Sequence, residues 1–554
     1  MLPRFQLENF MSKPWASLVL TAVATCPSLA QAVVVIPGPT VDVGTGIREP
    51  LSYRTTVNRA GVAIGQLRTA TSSQSTTGYY PLRWDGRSGE VLQSLGTASN
   101  GKPRSMPVAI NSASVAVGSV YKYSPTHQNL GEVPTRWDAD SGIAIELLSQ
   151  LTPTSLAAGR ASAINAAGLT VGRVFPGEFT QFSLAQRPVL WNAQGELSEL
   201  NTLGQSSTGL RNGAAVVVNN AGVVAGWSDA YDANGTLLGR KVVRWNPGSV
   251  TPIALGWGSG AEIELPMAIN DSGVIVANSV LLGGYAPMRW AADGTMTELR
   301  TFGVASTGQR AEAAVYSLNA AGDAVGYSEK TVNGRSAGNR AVRWNADSGN
   351  VIELAQRFPG STNSAAANGI NRSGIAVGID TAQAVIWDSE NVVRTLASFL
   401  PANSSWIFLR SALTITDTGW IAGDGVFDPT GGASSDAYAR HFTMLVPEAG
   451  TYGRGDANFD TLTDFADLVI LAQKYNLANP TQATTVADFD LNGVTDFQDL
   501  VILAQNYNAG GANIAGLGSS DFAADWALAQ SLVPEPTGIV AIGLIATAVR
   551  RRRG

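Results

Sequence analysis

The chain has 554 residues, long enough for several domains or one large repeat array, and only 14% of them are charged. Its formal charge of −6 lacks the basic excess typical of nucleic-acid binding, so we expect no nucleic-acid partner. Cys26 is the only cysteine, and His127 and His441 are the only histidines. This composition argues against a disulfide framework and a thiolate metal site, and leaves little material for histidine-based catalysis.

Residues 1–32 have the pattern of an export signal. Lys13 precedes an apolar stretch from Ala16 to Ala24, and Ala30-Gln31-Ala32 has the small residues that signal peptidase requires. We therefore predict export, removal of the leader and a mature chain that begins at Val33.

A hairpin signature then recurs with a period near 50 residues. It consists of an asparagine with glycines three and seven residues later, as in INAAGLTVG at Asn165, and successive copies begin 45–54 residues apart. The copies begin at Asn58, Asn111, Asn165, Asn219, Asn270, Asn319, Asn371 and Thr416. Serine replaces the first glycine in the second copy, and Ala277 replaces the second glycine in the fifth. The Asn-x-x-Gly segment predicts a turn in which glycine accepts a positive φ, followed by a second strand.

A third strand in each unit ends in an aromatic residue, and a short fourth strand follows it. The aromatic residues are Trp84, Trp137, Trp191, Trp245, Trp290, Trp344, Trp387 and Phe442. Four short strands per 50 residues predict the blades of a mainly β, eight-bladed β-propeller spanning 33–447. One large aromatic per blade at a constant register predicts packing between neighbouring sheets rather than ligand stacking.

The hairpin and the aliphatic-Trp strand together resemble the HAF-type family of extracellular repeats over residues 45–446. The resemblance implies an exported repeat protein and brings no catalytic residues. Unit eight lacks a fourth strand, and the segment after Val33 is strand-like. We expect this segment to complete the last blade and close an eight-bladed ring. Seven blades plus a stray unit is the alternative.

After a linker at 448–454, two acidic loops at 455–508 each lead into an amphipathic helix. A Ca²⁺ loop needs oxygen ligands at positions 1, 3, 5, 9 and 12 and a carbonyl at position 7. The first loop supplies Asp456, Asn458, Asp460, Asp464 and Asp467 with the Leu462 carbonyl. The second supplies Asp488, Asp490, Asn492, Asp496 and Asp499 with the Val494 carbonyl. Oxygen-only ligands predict two Ca²⁺ ions, with the first site weaker because Thr461 replaces the glycine that favours the bend.

Two loop-helix copies with aspartate at position 12 are similar to the type I dockerin module. The resemblance implies an α-helical pair ordered by the ions and a cohesin-like or other protein partner. The predicted apolar faces contain Phe465, Leu468, Val469, Ala472 and Tyr475 in the first helix. Their counterparts in the second helix are Phe497, Leu500, Val501, Ala504 and Tyr507.

The C-terminus combines a spacer with a short predicted helix at 509–532 and a signal at 533–554. Pro534-Glu535-Pro536, a short apolar helix and the cluster Arg550, Arg551, Arg552 and Arg553 resemble the PEP-CTERM sorting signal. The resemblance implies an exosortase-type protease as partner. The 13 apolar residues from Thr537 to Val549 fall short of the ~20 that span a bilayer, so we expect only transient membrane association.

Three function classes follow for an exported cell-envelope or extracellular protein. The favoured one is a non-catalytic binding or scaffolding propeller with a calcium-dependent attachment module. The alternatives are a carbohydrate-active enzyme, with extracellular polysaccharide as substrate, and a structural surface or matrix protein. No acidic pair is marked as catalytic by a break in the repeat, so no catalytic residues are predicted.

Overall fold

The computed structural model describes most of the repeat region and part of the C-terminal module. The described residues are 34–37, 47–50, 55–70, 78–85, 89–147, 158–176, 185–255, 262–281, 284–303, 311–332, 335–359, 362–401, 403–430, 437–446, 455, 457, 463, 465–475, 487 and 495–507. The predicted signal peptide, the linker, the 509–532 helix and the sorting signal lie outside them. No helix among the described residues is long and apolar enough to cross a membrane.

The repeat region forms eight antiparallel sheets. The strands of its first half are β1 (Val34–Pro37), β2 (Ile47–Pro50), β3 (Thr56–Val57), β4 (Ala63–Ala70), β5 (Gly78–Trp84), β6 (Gly89–Val91), β7 (Ser105–Ile110), β8 (Ala116–Tyr123), β9 (Asn129–Trp137), β10 (Ala144–Glu146), β11 (Ala158–Ile164), β12 (Thr170–Phe175), β13 (Arg187–Trp191), β14 (Leu197–Glu199), β15 (Gly213–Val218), β16 (Val224–Tyr231), β17 (Leu237–Trp245) and β18 (Pro252–Ala254).

The second half continues the same order and includes a short 3₁₀ helix at Leu396–Phe399. Its strands are β19 (Glu262–Ile269), β20 (Ile275–Leu281), β21 (Gly284–Trp290), β22 (Met296–Glu298), β23 (Ala313–Leu318), β24 (Ala324–Val332), β25 (Arg335–Trp344), β26 (Val351–Glu353), β27 (Ala365–Ile370), β28 (Ala376–Asp380), β29 (Gln383–Trp387), β30 (Val393–Thr395), β31 (Trp406–Ile415), β32 (Trp420–Phe427) and β33 (Tyr438–Leu445).

The first strands of the eight sheets contact each other in a closed circle, in the order β3, β7, β11, β15, β19, β23, β27, β31 and back to β3. Each sheet is therefore one blade, with its first strand innermost. The predicted eight-bladed propeller is confirmed, and the seven-bladed alternative is wrong.

The ring closes through its N-terminal strand, as expected. β1 pairs antiparallel with β33, so that Val34 lies opposite Leu445 and Pro37 opposite Phe442. Blade eight therefore has the order β1-β33-β32-β31, with strands from both ends of the repeat region. This pairing covers the outer edge that β33 would otherwise expose.

Every described innermost strand from blade two to blade eight has a β-bulge just before its asparagine turn. In blade four the bulge lies between Ala215 and Val217. It brings the carbonyl of Ala214 so close to Gly226 that a Cβ on Gly226 would overlap the oxygen. The second glycine of the signature is therefore required by the bulge of the neighbouring strand.

The aromatic residues that end the third strands form the core between blades. Seven tryptophans and Phe442 have at most 1% exposure. Trp137 Nε1 donates to the Gln93 carbonyl (2.8 Å) and Trp344 Nε1 to the Arg300 carbonyl (2.7 Å), each in the preceding blade. The predicted packing role of these residues is confirmed, and a stacking platform for ligands is not formed by them.

Two helices, α1 (Phe465–Lys474) and α2 (Phe497–Asn506), pack together in the C-terminal module. Their shared core includes Leu468, Ala472, Tyr475, Leu500 and Ala504 as predicted, together with Ala457, Leu471, Ala487 and Leu503. The placement of Phe465 on the apolar face is wrong, because its side chain is 42% exposed. Phe497, at the same first position of α2, packs against this core, so the two helices differ at this position.

Candidate functional site

The asparagine that opens each turn has two structural roles. In the third blade, Asn165 Oδ1 accepts from the Leu169 backbone N–H (2.9 Å) and so closes its own turn. Its Nδ2 donates to the backbone carbonyl of Asn219 in the fourth blade (3.0 Å). One amide side chain thus fixes the hairpin and joins it to the next blade.

The same inter-blade bond recurs around the axis at 2.9–3.1 Å, from Asn58 to Asn111 and onward to Asn165, Asn219, Asn270 and Asn319. Between blades seven and eight it lengthens to 3.5 Å, from Asn371 to the Thr416 carbonyl. Blade eight then joins blade one through Thr418 Oγ1, which donates to the Arg59 carbonyl (2.7 Å). These bonds join the turns into an almost continuous ring at one end of the propeller. The exception among the described turns lies between blades six and seven, where Asn319 Nδ2 donates to Asp323 Oδ2 of its own turn (3.5 Å).

This ring surrounds an axial cavity of about 680 Å³, which we call the axial mouth. Its apolar wall comes from the residue before each asparagine, namely Val57, Ile110, Ile164, Val218, Ile269 and Ile415. Its rim comes from the residue after each asparagine, namely Arg59, Ser112, Ala166, Asn220, Asp271, Arg372 and Asp417. The mouth thus combines an apolar wall with a hydrogen-bonding rim, as small-molecule and polymer sites do.

Charges at the rim are balanced and held in place. Asp417 forms an ion pair with Arg59 (2.8 Å) and accepts from the Arg372 backbone N–H (2.7 Å). Asp271 accepts from both the backbone N–H and the side-chain amide of Asn220 (2.9 and 3.1 Å). Two arginines face two aspartates, so the rim carries no net formal charge.

Charged side chains that precede the aromatic residues also join blades. Arg83 Nη1 donates to the Asp138 carbonyl (2.7 Å), Arg136 Nη1 to the Ala193 carbonyl (2.7 Å), and Arg244 bonds the Ala292 carbonyl in the same way. Sequence reasoning missed this role, although the recurring Arg-Trp dipeptide was its signal.

His441 takes the place of that arginine in blade eight. Its side chain is buried and stacks on Trp84 of blade one, with centroids 5.6 Å apart. Nε2 lies 3.0 Å from the Gln66 carbonyl, which can only accept, so Nε2 carries the hydrogen and Nδ1 accepts from Thr55 Oγ1 (2.6 Å). Burial lowers the pKa of His441 to about 4. This neutral histidine joins blades eight and one.

Of the twelve predicted calcium ligands, the structure describes three. Asp467 is buried in the first turn of α1 and its Oδ1 accepts from the Ala457 backbone N–H of the first loop (2.7 Å). Asp499 is buried and its Oδ2 accepts from the Asp496 backbone N–H (2.9 Å), while Asp496 Oδ1 accepts from the Gln498 N–H (2.8 Å). This reciprocal capping box starts α2.

The other nine predicted ligands lie outside the described residues: Asp456, Asn458, Asp460, Leu462, Asp464, Asp488, Asp490, Asn492 and Val494. Within the described part of the chain, no three His, Cys, Asp or Glu side chains form a metal-binding group. Asp467 and Asp499 are nevertheless buried carboxylates at equivalent positions, where each helix meets its loop. Such an oxygen donor set fits a hard cation such as Ca²⁺. The sorting-signal residues Pro534, Glu535, Pro536 and Arg550–Arg553 also lie outside the described range.

No protein-family model matches the chain, and no curated protein is similar to it. Among solved structures, the Dos1 propeller is similar at 8% identity and a TM-score of 0.37, covering 74% of this chain and 95% of that one. The β-propeller domain of the Trilobed protease from Pyrococcus furiosus is similar at 10% identity and a TM-score of 0.29, covering 56% and 96%. Prolyl oligopeptidase B from Galerina marginata is similar at 9% identity and a TM-score of 0.41, covering 72% and 55%.

Proposed function

We propose that this chain is an exported, non-catalytic binding or scaffolding protein of the cell envelope, with the propeller as its binding domain. The observation that carries the proposal is the axial mouth. Equivalent turns present one variable side chain at its rim from each of seven blades. Such a ring lets the rim residues differ from blade to blade while the asparagine amides keep their bonds to the neighbouring turns.

The chemistry of the mouth favours an uncharged, hydroxyl-rich ligand such as a segment of extracellular polysaccharide. Rim charges cancel, and Asp271 and Asp417 are already engaged by neighbouring donors. The amide of Asn220 and the hydroxyl of Ser112 provide uncharged polar groups at the rim. Polar rims of this kind bind through many modest hydrogen bonds, which suits attachment rather than turnover.

The C-terminal module is proposed to attach the propeller to a cohesin-like or other protein partner when two Ca²⁺ ions are bound. The two loops would hold the ions through their carboxylate, amide and carbonyl oxygens, and Asp467 and Asp499 would link each ion to its helix. When bound, the ions neutralise crowded carboxylates and contribute folding free energy to a module with a small core. The sorting signal would direct the chain to an exosortase-type protease.

Binding and catalysis are distinguished by incubating the full chain with a panel of polysaccharides. We expect co-sedimentation with a neutral polymer and no release of reducing ends. Ala166→Trp, at the exposed rim, should weaken this retention at least tenfold by filling the mouth. Gln194→Trp, on an exposed turn of the same blade outside the mouth, is the matched control and should bind normally. Release of reducing ends would instead support the carbohydrate-active enzyme, and retention unaffected by Ala166→Trp would exclude the mouth.

The calcium module is tested by two calorimetric measurements on the full chain. In titration calorimetry we expect two ions bound per chain. In scanning calorimetry we expect a low-temperature unfolding transition that a chelator shifts. A stoichiometry of zero, with a transition that the chelator does not move, would contradict both the calcium sites and the dockerin resemblance.

A further inference from the structure

A second polar site lies between blades two and three, where β8 and β9 contact β11. Three arginines border this inter-blade space, which we call the cleft. On the blade-two wall, Arg104, Tyr121 and Glu132 lie side by side, because the Tyr121 N–H bonds the Arg104 carbonyl (2.8 Å) and Tyr121 lies opposite Glu132. On the facing wall, Arg160 lies directly opposite Arg173 across β11 and β12. Because residues opposite each other share a face of the sheet, all five side chains border the same cleft.

Of these five side chains, Glu132 alone is negatively charged, whereas three are arginines. Glu132 is fully buried, and one of its oxygens accepts from Arg160 Nε and Nη2 (2.8 and 2.7 Å). Its other oxygen accepts from Ser119 Oγ (2.6 Å). Both oxygens of Glu132 are therefore engaged, and its only ion pair among the described residues is with Arg160. A directly opposed Arg-Arg pair is unfavourable without further negative charge.

Aromatic rings hold the other two guanidinium groups. The Arg104 guanidinium lies 4.5 Å from the centroid of Tyr121, and that of Arg173 lies 6.0 Å from the centroid of Phe175. Within the described part of the chain, neither guanidinium forms a hydrogen bond or an ion pair, and Arg173 Nε is buried without a partner. An aromatic ring contacts the flat face of a guanidinium, and so leaves the N–H groups along the edge of the guanidinium free to donate.

The environment of Arg173 agrees with this charge imbalance. Burial, followed by the neighbouring Arg160 charge, lowers its pKa to about 10, while Glu132 acts in the opposite direction. The positive charge of Arg173 is therefore poorly compensated. Lys122 does not add to the cleft, because it is the neighbour of Tyr121 along β8 and pairs with Glu146 (2.7 Å) on the other face.

We propose that this cleft binds the oxyanion of an acidic polysaccharide, a carboxylate or sulfate group, through Arg104 and Arg173. Arg160 keeps its ion pair with Glu132 and so holds the sheet that carries Arg173 against blade two. An oxyanion of this type accepts two N–H donors from one guanidinium, and it would supply the negative charge and the acceptors that the cleft lacks. The overall charge of −6 weakens long-range attraction of a dense polyanion, so recognition depends on these local groups.

The inference rests on the proposed function, because it takes the ligand of the propeller to be a polysaccharide. Its test measures binding of the full chain to polygalacturonate, to dextran sulfate and to neutral dextran by affinity electrophoresis at physiological ionic strength. We expect retention by at least one acidic polymer, and the preferred polymer distinguishes carboxylate from sulfate. Arg173→Gln and Arg104→Gln should each weaken this retention by about tenfold or more.

Arg187→Gln is the matched control. It removes one charge from the same blade, but Arg187 is paired with Glu199 (2.7 Å). Pro188 is the residue opposite Arg173, and Arg187 is its neighbour along the strand. Arg187 therefore belongs to the other face of the sheet. Arg187→Gln should retain the acidic polymer within about twofold. Arg173→Lys keeps the positive charge but removes the two parallel N–H donors of the guanidinium. Its retention of the acidic polymer should lie between those of the wild type and Arg173→Gln. Circular dichroism of each variant checks that the fold is intact.

Three outcomes would overturn the proposal: no retention by either acidic polymer, retention of the acidic polymer by Arg173→Gln as strong as that by the wild type, or the same loss in Arg187→Gln as in Arg173→Gln. Its failure is distinguishable from that of the proposed function. Release of reducing ends from a retained acidic polymer would contradict the non-catalytic role while supporting the oxyanion site.

Discussion

The side-chain amide of Asn165 donates to the backbone carbonyl of Asn219 across 54 residues of sequence, and its oxygen closes the turn that Asn165 itself opens. The nitrogen of this amide therefore joins two blades, and its oxygen stabilises the turn. Aspartate would keep the acceptor and lose the donor, so the substitution separates the inter-blade bond from the turn.

We expect Asn165→Asp to lower the free energy of unfolding by about 3 kcal/mol, because a buried carboxylate would face a carbonyl oxygen. Asn100→Asp is the control, since Asn100 Oδ1 also accepts from a backbone N–H, that of Lys102, but Asn100 is exposed. It should change stability by less than about 0.5 kcal/mol. Urea unfolding followed by tryptophan fluorescence measures both, and equal effects would contradict the inter-blade role.

Gly226→Ala should destabilise blade four by about 3 kcal/mol or more, because the new Cβ would overlap the Ala214 carbonyl oxygen. Gly248 has a positive φ of 72° and open space around its Cβ direction, so Gly248→Ala should cost only about 1 kcal/mol of backbone strain. Thermal unfolding of the two variants separates overlap from strain. A smaller loss in Gly226→Ala than in Gly248→Ala would show that the bulge adapts easily.

The fifth blade shows how the fold accommodates an exception to this glycine. Ala277 occupies the equivalent position, and there the inner strand has a second bulge between Ile263 and Leu265. Leu265 is the counterpart of Ala214, whose carbonyl approaches Gly226. The second bulge of blade five therefore lies at the residue whose carbonyl would meet the Cβ of Ala277, although blade eight also has additional bulges and keeps Gly423.

Much of the propeller could be predicted from sequence because its signals are local and repeated. The turn after Asn165, the strand that ends at Trp191 and the orphan strand at 34–37 follow from composition and period alone. The inter-blade hydrogen bond that Asn165 makes and the contact of Arg136 with the Ala193 carbonyl could not be predicted, because their partners lie about one period away. The rim of the axial mouth was also missed, since the residue after each asparagine varies from blade to blade.

Closure of the ring predicts a specific effect of truncation. A chain that begins at Gly38 lacks β1 and leaves the outer edge of β33 unpaired, whereas a chain that begins at Val33 keeps it. We expect the shorter chain to unfold at a lower temperature and to self-associate through the exposed edge strand. Scanning calorimetry and analytical ultracentrifugation measure the two effects, and identical behaviour of both chains would contradict closure by β1.

The calcium proposal predicts unequal effects at the two position-12 aspartates. Asp499→Ala should cost more stability in calcium than Asp467→Ala, because Gly493 favours the second loop while Thr461 weakens the first. Asp499→Asn keeps an oxygen for the Asp496 N–H and should therefore lose affinity for one ion while retaining the helix cap. In chelator, Asp499→Asn should match the wild type more closely than Asp499→Ala does. Calorimetry of the full-length variants tests the order, and equal losses at both positions would contradict it.

His441 predicts a pH dependence with a definite sign. In the unfolded chain its imidazole takes up a proton below pH ~6.5, whereas burial holds the pKa in the folded propeller at about 4. The unfolded state therefore binds more protons between these values, so stability is lost as the pH falls from ~6.5 towards 4, by up to roughly 3 kcal/mol. His441→Gln offers a neutral donor and acceptor and removes this proton uptake. Its stability relative to wild type should improve steadily as the pH falls through that window, as measured by urea unfolding at several pH values. His127→Gln, at an exposed turn, should follow the wild-type curve, and a pH-independent gap between His441→Gln and the wild type would show that His441 is not the titrating group.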